Sequence, residues 1–110
     1  MSISIYYLDD EEALCDIFVE LFETSSVRVT TFVDADLAIE ACQLTPPDLI
    51  FIDFRLSNTT GDEVASILAE SIPKILVTGD FSFKLKSDFV KVTSKPFDLD
   101  EIEELIARYL

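Results

Sequence analysis

The chain contains no histidine. It therefore lacks the commonest general base and the commonest nitrogen ligand for zinc. Basic residues are scarce as well: 8 lysines and arginines stand against 22 acids, for a formal charge of -14. Binding a nucleic-acid backbone requires local basic charge to displace counterions, so direct nucleic-acid contact is disfavoured. A hard cation and a basic protein face are the natural partners of such a surface, and much of the acid can simply be solvated. Long apolar runs are missing, and none approaches the ~20 residues of a membrane-spanning helix. No basic region precedes the apolar start of MSISIYYLDDEE, so no signal peptide is expected. Cysteine is limited to Cys15 and Cys42. Both fall in amphipathic helical patterns, which suits buried free thiols in a reducing cytoplasm. Internal repeats and low-complexity tracts are also absent.

What remains reads as one globular domain over residues 1–110, with 49% apolar and 27% charged residues. The chain is organised around Leu49 to Gly61, LIFIDFRLSNTTG. A strand-length apolar run, of the kind buried on both faces of a parallel sheet, ends in Asp53 and breaks into a polar loop. Ser2 to Leu8 is a second such strand and ends in Asp9-Asp10. Asp10 is a candidate cap for a helix to about Thr24, whose apolar positions are Leu14, Ile17, Phe18, Leu21 and Phe22. With Val19 that stripe is wider than one sheet contact needs. Either fuller core coverage or a docking face for a partner helix accounts for it.

Val27 to Phe32 is a β-branched strand, and Asp34 is expected to cap a helix through Leu44 with Leu37, Ala38 and Ala41 inward. Pro46-Pro47 ends it. Gly61 closes the loop after Asp53, where a turn favours a residue tolerant of positive φ. Asp62 and Glu63 open a helix with Val64, Ile67 and Leu68 inward. Ile75 to Val77 is a strand ending at Thr78-Gly79. The segment Asp80 to Asp88, DFSFKLKSD, is too short for a full crossover helix. Its alternation of Phe81, Phe83 and Leu85 is not helical either. One turn or an irregular apolar flap is expected there. Phe89 to Thr93 is the last strand, followed by Lys95-Pro96. Asp98 then caps a helix with Leu99, Ile102, Leu105, Ile106 and Tyr109 on one stripe. This order implies an open parallel α/β sheet with helices on both faces.

Such folds place their chemistry at the carboxyl ends of the strands. If the strands bearing Asp9, Asp10 and Asp53 are adjacent, three carboxylates crowd together and disfavour each other's ionisation. A divalent cation relieves that repulsion, and an all-oxygen set suits magnesium, with a backbone carbonyl after Asp53 as a further ligand. Thr78 and Lys95 reach the same edge, where a hydroxyl and an ammonium stabilise phosphoryl oxygens. Phosphoryl transfer to Asp53 as nucleophile, then hydrolysis, fits this set. Taken singly, Asp10 can be a cap, Thr78 a turn hydroxyl and Lys95 a snorkelling surface lysine.

This pattern resembles the receiver domain of two-component response regulators, the CheY-like family, over nearly the whole chain. Asp9-Asp10, Asp53, Thr78, Lys95-Pro96, Gly61 and Phe97 carry the resemblance. It implies a flavodoxin-like fold, an open five-stranded parallel sheet in the order 2-1-3-4-5, with the family's fourth helix truncated or absent here. It also implies that Asp53 takes phosphate from a sensor histidine kinase or a histidine phosphotransfer protein. By the same resemblance Mg2+ is held by Asp10, by Asp9 partly through water, by Asp53 and by the Arg55 carbonyl. Thr78 then hydrogen-bonds the phosphoryl group, Lys95 pairs with it, and Arg55 and Asp80 sit where the family tunes phosphoryl lifetime.

Three departures stand out: Ser57 replaces the usual proline, Val92 the usual aromatic switch residue, and the fourth helix is short. They imply a state read through the first helix, the last helix or the loops after strands three and four. No effector segment is expected beyond Leu110, and output is expected by contact with an unidentified downstream protein, from a monomer or weak homodimer. A degenerate receiver serving as an interaction module is the second reading. A turnover phosphatase of the haloacid-dehalogenase kind is disfavoured, because Arg55 stands where that class needs a second carboxylate.

Overall fold

Leu49–Asp53, buried throughout, forms the central strand β3. The computed structural model describes residues 2–82 and 84–110. In chain order its elements are β1 (Ile3–Leu8), α1 (Glu12–Phe22), β2 (Val27–Phe32), α2 (Ala35–Leu44), β3, α3 (Gly61–Ile67), β4 (Lys74–Thr78), β5 (Lys91–Ser94) and α4 (Leu99–Ala107). The five strands are all parallel, in the order β2-β1-β3-β4-β5. The order is the one expected of a flavodoxin-like sheet, with four helices among the described residues.

The period of two along each strand divides the core between the two faces of the sheet. Ile5, Tyr7, Phe51, Ile75 and Val77 pack with Phe18 and Phe22 of α1 and with Ile102, Leu105 and Ile106 of α4. Tyr6, Leu8, Ile50 and Ile52 pack with Ala38 and Cys42 of α2 and with Val64, Ala65 and Leu68 around α3. Register then sets the active edge. Leu8 pairs with Ile52, so the next residues, Asp9 and Asp53, emerge side by side. Thr78 pairs with Ser94, which brings Lys95 to the same edge.

Several local expectations need correction. Asp10 is not the cap of α1: that position is Glu11, which makes no side-chain cap bond. The Glu11 amide is instead met by Asp9 Oδ1 at 2.9 Å. Asp34 and Asp98 cap α2 and α4 as expected. Leu37, Ile67 and Leu99 face solvent rather than the core, because these short helices cover the sheet with fewer residues than their apolar content offers. Ile17 and Leu21 on α1 are each 42% exposed, so the wide stripe of that helix exceeds what the core uses.

Gly61 has no positive φ. Its constraint is space: a Cβ there would stand 2.4 Å from the carbonyl oxygen of Asp53. Only glycine lets α3 begin so close to the end of β3.

The connection from β4 to β5, residues 79–90, contains no helix among the described residues. Asp62, in the first turn of α3, anchors it by accepting the Lys86 and Ser87 amides at 2.8 and 2.9 Å. Ser87 Oγ returns a bond to the Asp62 carbonyl at 3.0 Å, and Lys86 pairs with Glu63. Phe89 packs on the α2/α3 core, while Phe81 is 59% exposed. Phe83, the middle residue of the expected alternation, lies outside the described residues. The last strand begins at Lys91 rather than Phe89.

Candidate phosphoacceptor site

Asp9, the residue after β1, is fully buried, and Asp53 at the end of β3 nearly so. Lys95 lies between them. Its Nζ is 2.9 Å from Asp9 Oδ2 and 3.1 Å from Asp53 Oδ1. It is therefore no snorkelling surface lysine. The Lys95-Pro96 peptide that follows is cis. Asp10 points to the rim, where Ser57 Oγ donates to its Oδ2 at 3.0 Å. One carboxylate oxygen each from Asp9, Asp10 and Asp53 lies within 4.8 Å of the others. Three hard oxygen donors that close, two of them buried, fit a small divalent cation, and the donor set suits magnesium.

Burial and the neighbouring Asp9 push the Asp53 carboxyl up to about 6, with Lys95 only partly offsetting them. Among the described residues the Asp53 carboxylate has no hydrogen-bond partner besides Lys95. For Lys95 itself burial works against the charge, but the bonds to Asp9 and Asp53 outweigh it and raise the ammonium above its ordinary value.

Thr78 is buried at the end of β4. Its hydroxyl donates to the Asp80 carbonyl at 2.9 Å and accepts the Asp80 amide at 3.1 Å. In this state it is the turn hydroxyl that its position allowed. Asp80 pairs with Arg55 at 3.0 Å and accepts from Ser82 through both backbone and side chain. The Arg55 side chain thus joins the loops after β3 and β4. Together Asp10, Asp53, Arg55, Thr78, Asp80 and Lys95 line an open cavity of about 350 Å³. A larger groove, about 560 Å³, runs between α3 and the connection near Lys74 and Phe89. Lys74 Nζ there is occupied by the Ala69 and Ile72 carbonyls, so the groove gathers no reactive set.

Two contributors were not singled out from the sequence. Tyr7 donates its hydroxyl to Asp9 Oδ2 at 2.6 Å. The Glu11 amide holds the other oxygen. Tyr7 was discoverable in principle: two residues before Asp9 on a strand, it must share that residue's face. Val92, by contrast, sits on β5 beside Leu76 of β4.

The comparisons with known proteins place the chain in a family and its fold among solved structures. The family described as the response regulator receiver domain matches residues 5–107. Sporulation initiation phosphotransferase F of Bacillus subtilis is 24% identical over 118 residues, covering 100% of this chain and 95% of the relative. A CheY-like receiver domain from Methylobacillus flagellatus superposes with a TM-score of 0.87 at 19% identity, covering 100% of both chains. The response regulator TrrA from Thermotoga maritima, solved in complex with Mg(2+)-BeF, superposes at 0.85 with 22% identity and 100% coverage of both.

Proposed function

The chain belongs to the response regulator receiver domain family, and on that premise we propose that it is a phosphoacceptor. Asp53 takes a phosphoryl group from a phosphohistidine of a sensor kinase or a phosphotransfer protein. The observation that carries this reading is the Lys95 ammonium held between Asp9 and Asp53, beside an Asp53 carboxylate otherwise open to attack phosphorus. In the step, an Asp53 oxygen bonds to phosphorus while the phosphorus–nitrogen bond breaks and its electron pair stays on the imidazole. Hydrolysis later adds water to phosphorus, and the aspartyl oxygen leaves as carboxylate.

Mg2+, held by Asp9, Asp10, Asp53 and the Arg55 carbonyl, would supply positive charge to the phosphoryl oxygens. Lys95 adds a second positive charge, and the Thr78 hydroxyl adds a hydrogen bond. The Thermotoga protein's complex with Mg(2+)-BeF supports the cation. The Bacillus relative's name supports a phosphorelay role. The exposed Ile17 and Leu21 of α1 offer a docking face for the donor. The protein modifies only itself and is not a turnover enzyme, and its setting is the cytoplasm. No helix among the described residues is long and apolar enough to cross a membrane.

Incubation with a small-molecule phosphodonor in Mg2+, read by intact mass, tests the reading. Wild type gains one phosphoryl group and Asp53→Asn gains none. Equal labelling of the variant would overturn it. The helix-free connection between β4 and β5 favours one second reading, a phosphorylation-independent interaction module. An unlabelled wild type that still binds its partner would establish that instead.

A further inference from the structure

Asp9 is fully buried, and its carboxylate has about four acceptor positions. Three are taken within the protein. Tyr7 Oη donates to Oδ2 at 2.6 Å, Lys95 Nζ approaches the same oxygen at 2.9 Å, and the Glu11 amide reaches Oδ1 at 2.9 Å. The phenol is fixed from all sides. Its ring stacks on Phe18 at 4.3 Å and 8°, and meets Phe97 edge-on at 5.9 Å. Phe97 itself lies two residues beyond Lys95, the other donor to Asp9 Oδ2.

We propose that Tyr7 is a positioning residue that weakens and sets Mg2+ affinity by holding one oxygen of Asp9 away from the cation. The inference rests on the metal reading above. A hydroxyl already bonded to Oδ2 competes with a cation for the same lone pairs, and it stabilises the metal-free carboxylate that a cation would otherwise relieve. Both effects oppose binding. They leave Asp9 only its Oδ1 side, which accords with contact through water, so most of the direct charge comes from Asp10 and Asp53. Tyr7 has a second consequence. When Lys95 turns toward a phosphoryl group, the phenol keeps Asp9 Oδ2 paired, and the buried charge is not stranded.

The test compares Tyr7→Phe with Tyr6→Phe. Tyr6 offers a matched control on the opposite face of the sheet: its hydroxyl donates to the Thr45 carbonyl at 2.6 Å, far from any carboxylate of the site. Mg2+ dissociation constants are measured by calorimetry, and melting temperatures are read in EDTA and in Mg2+. Tyr7→Phe is expected to bind Mg2+ roughly three- to tenfold more tightly, the scale of the net contribution of one ordinary hydrogen bond. It should also melt lower in EDTA and recover more than wild type on adding Mg2+. Tyr6→Phe should bind Mg2+ as wild type does and lose the same number of degrees in both buffers. Unchanged or weaker Mg2+ binding by Tyr7→Phe, or equal losses of melting temperature in the two buffers, would overturn the role of Tyr7 alone. A wild type that binds no Mg2+ would overturn the metal site and this role together.

Discussion

Asp53 and Asp62 are both buried aspartates, one on each side of the loop that joins β3 to α3, and their environments drive them in opposite directions. At Asp53, burial and the Asp9 charge dominate and raise the carboxyl to about 6. At Asp62, burial also disfavours the charge, but the Lys86 and Ser87 amides and the Ser87 hydroxyl outweigh it and lower the carboxyl below its ordinary value. One aspartate is left short of donors, which suits the nucleophile proposed above. The other is saturated and serves as an anchor. The difference separates a carboxylate with few partners from one spent on structure.

The largest expected contrast is chemical. Asp53→Asn should abolish phosphodonor labelling, while Asp62→Asn should still be labelled, as measured by intact mass in Mg2+. Labelling lost equally from both would erase the distinction. Next in size is stability. Asp62→Asn leaves buried amides poorly paired and should cost about 1–3 kcal/mol in urea denaturation. The same change at Asp53 relieves repulsion with Asp9 and should stabilise the metal-free protein.

The pH profile sharpens the contrast further, and the signs follow from linkage. Asp53 has a folded value of about 6 above an ordinary 3.8. Its contribution is therefore fully present below about 4 and is lost as pH rises through about 6 in EDTA. Asp62 is depressed, so its contribution is present above the ordinary carboxylate range and is lost as pH falls through its folded value. Melting temperature against pH should thus lose its decline on the neutral side in Asp53→Asn and part of its acid limb in Asp62→Asn. The smallest effect belongs to Arg55→Ala. Its ion pair with Asp80 joins side chains that are 73% and 38% exposed. Such pairs contribute little, and the melting temperature should stay within error of wild type.

Much of this was legible in the sequence because a parallel sheet writes itself as buried runs with polar ends. Asp9, Asp53 and Thr78 each end or follow such a run, Lys95 follows the more exposed edge strand, and register brings them together. The helix-free connection after β4 was legible from length. Side-chain direction was less so. Ile67 and Leu37 look like core positions by spacing, yet short helices do not need them there. Gly61 carries a turn signal in sequence, but its role is a close approach that only three dimensions reveal. Asp10 and Asp9 are indistinguishable as letters, and it is the strand's face alternation that buries one and exposes the other. Tyr7 was hidden for a related reason, since a tyrosine in a buried strand ordinarily reads as core.

The Thr78 hydroxyl carries one hydrogen and can give it to one acceptor at a time. The Asp80 carbonyl holds that hydrogen now. A phosphoryl oxygen that claims it takes it from the turn, leaving a backbone acceptor to find another donor beside the very residue that grips Arg55 and Ser82. Occupancy of the pocket by a phosphoryl group would then compete with the bond to the Asp80 carbonyl for a single proton, while the Asp80 amide can keep its bond to the hydroxyl oxygen. A two-way choice of this kind can be made without any ring to rotate.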